Sequence, residues 1–190
     1  VIIEMASTLG SSLGQALGIA GYAAAFGIGT LFLTAGLAKL RSRRVFPGVV
    51  ANYRLLPPAL VGVVATLLPP AEVVIGACLI VGIGPAAIPA AGLLLVFAAA
   101  MAVNIRRGRS HIDCGCGRSD LRQTLSGTLV LRNVVLAALL LPTLGQLPSP
   151  GSAGWWIGLA SGSALYLLTL LVNALAALAK GPLAIERNMR

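Results

Sequence analysis

Charge is what this sequence has least of. Only 10% of its 190 residues are Asp, Glu, Lys or Arg, whereas a soluble domain carries roughly 25%. Acids are scarcer still, five against fourteen basic residues. That leaves too little polar surface to cover a water-soluble globule of this size, so a soluble Rossmann or barrel enzyme is excluded for the whole chain. Three cysteines are too few for a secreted disulfide framework, and a 57% hydrophobic content is the opposite of a disordered composition. What is present is apolar, with a mean hydropathy of +0.93. Lipid is the solvent for most of this chain.

A hydrocarbon layer of about 30 Å takes about 20 apolar residues of helix. On that measure five spans are predicted, at about 12–38, 59–83, 86–105, 125–144 and 155–179. The second is interrupted by Pro69-Pro70, where freed backbone carbonyls suggest a kink or a small polar pocket. Gly82, Gly84 and Pro85 mark a tight turn, and Trp155 and Trp156 open the fifth span as an interfacial belt would. Span one reads as a membrane helix and not as a signal peptide, because its flank is not basic and its run is too long. The fold class is therefore all-α, one integral membrane bundle over 1–190, with spans one to four forming its core.

The net charge of +9 would suggest nucleic acid in a soluble protein; here it reads as topology. Lys39, Arg41, Arg43, Arg44 and Arg54 fall between spans one and two. Arg106, Arg107, Arg109, Arg118 and Arg122 fall between three and four, and Lys180, Arg187 and Arg190 follow five. With five spans these segments share one face and hold thirteen of the fourteen basic residues. The positive-inside rule makes that face cytoplasmic.

The polar loop 106–124 collects the reactive side chains: His111, Asp113, Cys114 and Cys116, with Arg109 and Arg118 flanking. A disulfide between Cys114 and Cys116 would close a small, strained ring, which suits exchange better than structure. Gly115 and Gly117 give the backbone the freedom such a ring needs. Arg109 and Arg118 would favour the thiolate. A dithiol/disulfide couple is the leading reading. The alternatives are a metal site of His111, Asp113, Cys114 and Cys116, although a C-x-C pair suits closed zinc geometry poorly, and incidental membrane-edge cysteines. Asp113 either accepts a proton or raises the thiol pKa. Cys78, in the apolar end of span two, reads as a small hydrophobe.

Two charges lie inside spans, Glu72 and Arg132. Such residues face the bundle interior and pair, so a Glu72–Arg132 bridge is expected to join spans two and four. The sharper reading makes Glu72 a proton carrier coupled to thiol oxidation. Asn104 and Asn133 would add polar contacts between helices.

The segments A-G-L-A-K-L (35–40), N-Y-R-L-L-P (52–57), L-P-P-A-E (68–72), N-I-R-R-G-R-S-H-I-D-C-G-C-G (104–117) and L-V-L-R-N (129–133) resemble the MauE family of methylamine utilisation proteins, within the wider DoxX-like group. The resemblance runs from about residue 25 to 140. It implies a role in maturing the small subunit of methylamine dehydrogenase, beside MauD, a membrane-anchored thioredoxin-like partner. It also implies an architecture similar to vitamin K epoxide reductase-type bundles, in which a cysteine pair passes electrons to a membrane quinone. Cys114 and Cys116 become the redox pair, and Glu72, Asn104 and Arg132 become bundle residues of the family pattern.

The expectation is thus a multi-pass protein of the bacterial inner membrane with no bound cofactor and no nucleic-acid partner. If it is an enzyme, its class is thiol–disulfide oxidoreductase. A non-catalytic scaffold for the thioredoxin-like partner and a metal carrier are the competing functions. On topology the two lines disagree: oxidising a periplasmic protein needs the pair outside, whereas charge puts its loop inside.

Overall fold

In a computed structural model, residues 2–115, 124–144 and 152–178 are described. The chain forms α1 (Ile2–Arg41), α2 (Phe46–Asn52), α3 (Pro58–Val81), α4 (Ala87–Arg106), α5 (Gly127–Leu139) and α6 (Ser152–Leu178). Short 3-10 turns at Gly84–Ala86 and Leu141–Leu144 join the bundle at one end. Among the described residues, four helices are long and apolar enough to cross a membrane, and the segment Gly127–Thr143 is a shorter apolar one. The five predicted spans correspond to these, while α2 answers to none of them. This is a multi-pass membrane protein.

α1 is the axis. It packs against α3 on one side and α6 on the other, and α4 and α5 pack together. Small residues make the close approaches. A Cβ on Gly76 would lie 2.7 Å from the Gly29 carbonyl, and one on Gly162 would lie 2.7 Å from the Ala23 carbonyl. Without a hydrophobic driving force between helices in lipid, such backbone proximity supplies the van der Waals contact that holds them. The bundle expected of spans one to four therefore extends to the fifth.

The proline pair does not break α3. The helix runs through Pro69 and Pro70, and the Pro69 carbonyl lies 2.9 Å from the place a Gly36 Cβ would occupy. A glycine on α1 thus receives α3 where its backbone is altered. The helix ends on Gly82 with φ +88°, the left-handed cap that glycine adopts without strain.

The buried set is apolar and central, with Ile28, Leu79, Ala87, Ala90, Leu94, Leu136 and Leu140 in one cluster. The outside is apolar as well: Leu67, Val81, Ile88, Leu131 and Leu167 are each more than 60% exposed. A surface of that kind belongs against acyl chains. Trp155 and Trp156 are both exposed, and Trp155 packs against Tyr22 with the rings tilted and their centroids 5.4 Å apart, which agrees with an aromatic belt at this end.

Candidate functional site

At the opposite end the loop after α4 folds back onto the α1–α3 connection. Gly108, with φ +72°, lets the chain leave α4, and the Arg109 amide donates to the Asn104 carbonyl at 2.9 Å. Arg109 then reaches across to α2. Its guanidinium donates to the Asn52 carbonyl at 2.8 Å, to the Tyr53 carbonyl at 3.5 Å and to Asn104 Oδ1 at 3.3 Å. A cation on the free carbonyls of a helix C-terminus is favourable. The Arg109 interactions are with this helix end, so it positions the loop.

Beyond it the chain makes a narrow return. Asp113 and Thr124 form an isolated antiparallel bridge, and the Leu125 amide donates to the Ile112 carbonyl at 3.2 Å. Cys114 is buried, 6% exposed, in a cluster with Met101, Ile112, Leu125 and Leu129. Tyr53 Oη donates to the Cys114 carbonyl at 2.9 Å. The Gly115 amide donates to Asp113 Oδ1 at 3.2 Å, the turn that an Asp side chain makes with backbone two residues on. Gly115 has φ +65° and its Cβ position lies 2.8 Å from Val49 Cγ1, so no larger residue fits against α2 there. Asp113 thus bonds to the turn that presents Cys114. His111 is exposed at the loop surface. Cys116 and Arg118 lie outside the described residues. Among the described residues, no three of His, Cys, Asp and Glu come together as a metal site would require. Cys78 is part-buried against the main core.

The intramembrane charges pair differently from the sequence expectation. Glu72 Oε1 accepts from Lys39 Nζ, and the two form a buried ion pair between α1 and α3. Lys39 is therefore not a loop cation at all; it is the last buried residue on α1 and also sits 5.2 Å from the Phe97 ring centroid and 5.6 Å from that of Phe46. Arg132 turns instead to amides. It donates to Asn133 Oδ1 at 2.9 and 3.2 Å and to Asn173 Oδ1 at 2.6 Å. The expected Glu72–Arg132 bridge is replaced because Lys39, on the helix packed directly on α3, reaches the carboxylate first. Asn104 is fully buried and bonded to the Ala100 carbonyl and Arg109, so its contacts stay within α4 and its loop. The amide that links two helices, bonded to Arg132 of α5, is Asn173 of α6, a residue missed in the sequence. Its signal was a lone amide in an otherwise apolar span.

A family model for "Methylamine utilisation protein MauE" matches residues 17–145. The chain belongs to the MauE family. Among its relatives, the methylamine utilization protein MauE of Paracoccus denitrificans is 46% identical over 156 residues, 77% of this chain and 83% of that protein. The MauE of Paracoccus versutus is 43% identical over 156 residues, covering 80% and 84%. That of Methylorubrum extorquens is 40% identical over 153 residues, covering 80% and 82%. No solved structure matches. The family match takes in the loop with Cys114, the Lys39–Glu72 pair and Arg132, and ends before Asn173 in this MauE-family chain.

Proposed function

We propose that this chain is the membrane thiol–disulfide redox protein that supports assembly of the methylamine dehydrogenase small subunit, acting with the thioredoxin-like MauD in the bacterial inner membrane. Cys114 and Cys116 are the redox pair. A thiolate of the partner attacks one sulfur of their disulfide and forms a mixed disulfide; the partner's second thiol then releases it. The partner gains a disulfide, and Cys114 and Cys116 become the dithiol. Two electrons and two protons pass from that dithiol to a membrane quinone, which becomes the quinol and leaves the pair oxidised again.

The observation that carries this reading is the seating of Cys114. The residue is buried at the membrane edge with its carbonyl tied to Tyr53 and the next residue turned by Asp113. A backbone held at this residue and the next sets where the sulfur stands in the loop, and so the direction from which a partner thiolate would approach it. The test is the double variant Cys114→Ser/Cys116→Ser in cells whose own MauE gene is deleted. With the variant present in the membrane at the normal level, mature methylamine dehydrogenase is expected to be lost. Full maturation would sink the redox reading.

A further inference from the structure

All five long segments contribute to a half-open cavity of about 350 Å³ in the bundle. Ile28 and Phe32 of α1, Leu94 and Phe97 of α4 and Leu136 of α5 form its apolar walls. Its polar end is formed by Lys39 and Arg41, Glu72, Arg132 with Asn133, and Asn173. Ile28 precedes Lys39 by eleven residues, which is roughly 16 Å of helix rise. The cavity is therefore amphiphilic along its length, polar toward the basic end of the bundle and apolar toward its middle.

The charges lining it do not cancel. Lys39 and Glu72 neutralise each other. Arg132 is held by two amide oxygens, which orient a guanidinium but carry no net charge, and among the described residues no carboxylate is within ion-pair distance of it. Arg41, exposed at the end of α1, adds a second cation, and among the described residues no carboxylate is within ion-pair distance of it either. A bare cation at membrane depth is costly.

Among the described residues, two buried atoms also lack partners. Glu72 Oε2, an acceptor, and Asn133 Nδ2, a donor, have none, and both residues are 1% exposed. The Asn133 orientation is fixed by its own neighbour: Arg132 donates twice to Oδ1, so the amide nitrogen must be on the other side. Leaving such buried groups unmade is costly, since each has given up water without gaining a partner. An occupant that meets all of these needs carries an anionic oxygen, at least one hydroxyl donor and an apolar body.

We propose that this cavity binds an anionic phospholipid of the glycerol-headgroup class, its phosphate oxygens on Arg132 and Asn133 Nδ2, a headgroup hydroxyl on Glu72 Oε2 and the start of an acyl chain along Ile28, Phe32 and Leu136. Basic pockets between membrane helices take such headgroups. The site does not depend on the thiol chemistry proposed above, and its test does not read that chemistry.

The full chain, purified in mild detergent and stripped of lipid, is titrated with phosphatidylglycerol, with phosphatidylcholine, with inorganic phosphate or with an uncharged short-chain quinone. Bound lipid is read by native mass spectrometry and stabilisation by thermal unfolding. Phosphatidylglycerol is expected to bind one to one and to raise the unfolding temperature, while phosphatidylcholine does neither. Asn133→Asp places a carboxylate of the same size beside Arg132 and supplies the missing counter-charge from within. It is expected to fold as the parent does and to retain phosphatidylglycerol roughly fivefold less or worse. Arg43→Gln, an exposed arginine outside the cavity, is expected to leave retention unchanged. The proposal is overturned by undiminished retention in Asn133→Asp, or by equal binding of phosphatidylcholine or the quinone. Inorganic phosphate reproducing the whole effect would overturn it too, since the site would then be one for a free oxyanion.

Discussion

Lys39 and Glu72 form an ion pair inside the bundle, the lysine 7% and the glutamate 1% exposed. It joins α1 to α3 at the level where the Pro69 carbonyl meets Gly36. Two aromatic faces, Phe46 and Phe97, stand over the ammonium, so the lysine is held by α2 and α4 as well. One residue thus ties four helices together just beneath the loop that carries Cys114.

Removing one member of this pair leaves the other charged and buried. Lys39→Met or Glu72→Leu alone is expected to destabilise the bundle by about 3–5 kcal/mol. The double variant Lys39→Met/Glu72→Leu is expected to recover most of that loss, because both charges leave together. Thermal or denaturant unfolding in detergent, read as a double-mutant cycle, checks it. Purely additive single losses would show that the pair is not coupled.

The glycine contacts make a contrasting prediction within the same helices. Gly76→Ala places a methyl 2.7 Å from the Gly29 carbonyl and 2.7 Å from the Leu33 amide, so α1 and α3 must separate. A loss of about 1–3 kcal/mol is expected, as for other overpacked sites. Gly62 in α3 and Gly92 in α4 meet nothing within 4 Å. Alanine there is expected to be neutral or to stabilise by up to about 1 kcal/mol through helix propensity. Unfolding temperatures of the three variants decide this, and equal effects at all three would remove the role assigned to close backbone approach.

Tyr53 links the α2–α3 connection to the cysteine loop through one hydroxyl. Tyr53→Phe keeps the ring in its cluster and deletes that bond. The expected loss of global stability is only about 1 kcal/mol, but the loop is released locally, and Cys114 in the reduced protein is expected to alkylate several-fold faster. Timed alkylation followed by peptide mass spectrometry measures it. An unchanged rate would mean that the Tyr53 bond does not govern access to the sulfur.

Much of this fold is written in run lengths, because an apolar stretch of about 20 residues in lipid has little choice but to be a helix. The partner faces are written too, at a finer grain. The buried positions of α3 are Ala65, Pro69, Glu72, Gly76 and Leu79, an alternation of four and three that marks one packed stripe. On α1 the matching stripe is Gly29, Phe32, Gly36 and Lys39. Read this way, Lys39 belongs with Glu72. Read as one more cation before a basic loop, it is lost among its neighbours, and Glu72 is given to Arg132 instead. The antiparallel bridge between Asp113 and Thr124 had no such stripe to announce it. It depends on α2, a seven-residue helix too short and too weakly patterned to be seen between two long spans.

The remaining question of which face carries the loop can be put to the protein directly. The two ends of the bundle are distinct: Tyr53, Arg109 and Cys114 meet at one, and Tyr22, Gly82 and Trp155 at the other. Single cysteines introduced at Arg43, in the α1–α2 connection, and at Ile83, in the α3–α4 turn, therefore report opposite faces; both positions are exposed. In a background with Cys78, Cys114 and Cys116 replaced by serine, R43C and I83C are expected to differ in labelling by an impermeant maleimide in intact cells. A redox role toward a periplasmic partner requires R43C to be the labelled one. The basic residues of that end, Arg41, Arg43, Arg44, Arg54, Arg106, Arg107 and Arg109, pull the other way under the positive-inside rule. That opposition is weaker by one charge than the sequence suggests, because Lys39 is buried against Glu72. Labelling of I83C alone would leave the cysteine loop in the cytoplasm and remove direct oxidation of a periplasmic protein from what this chain does.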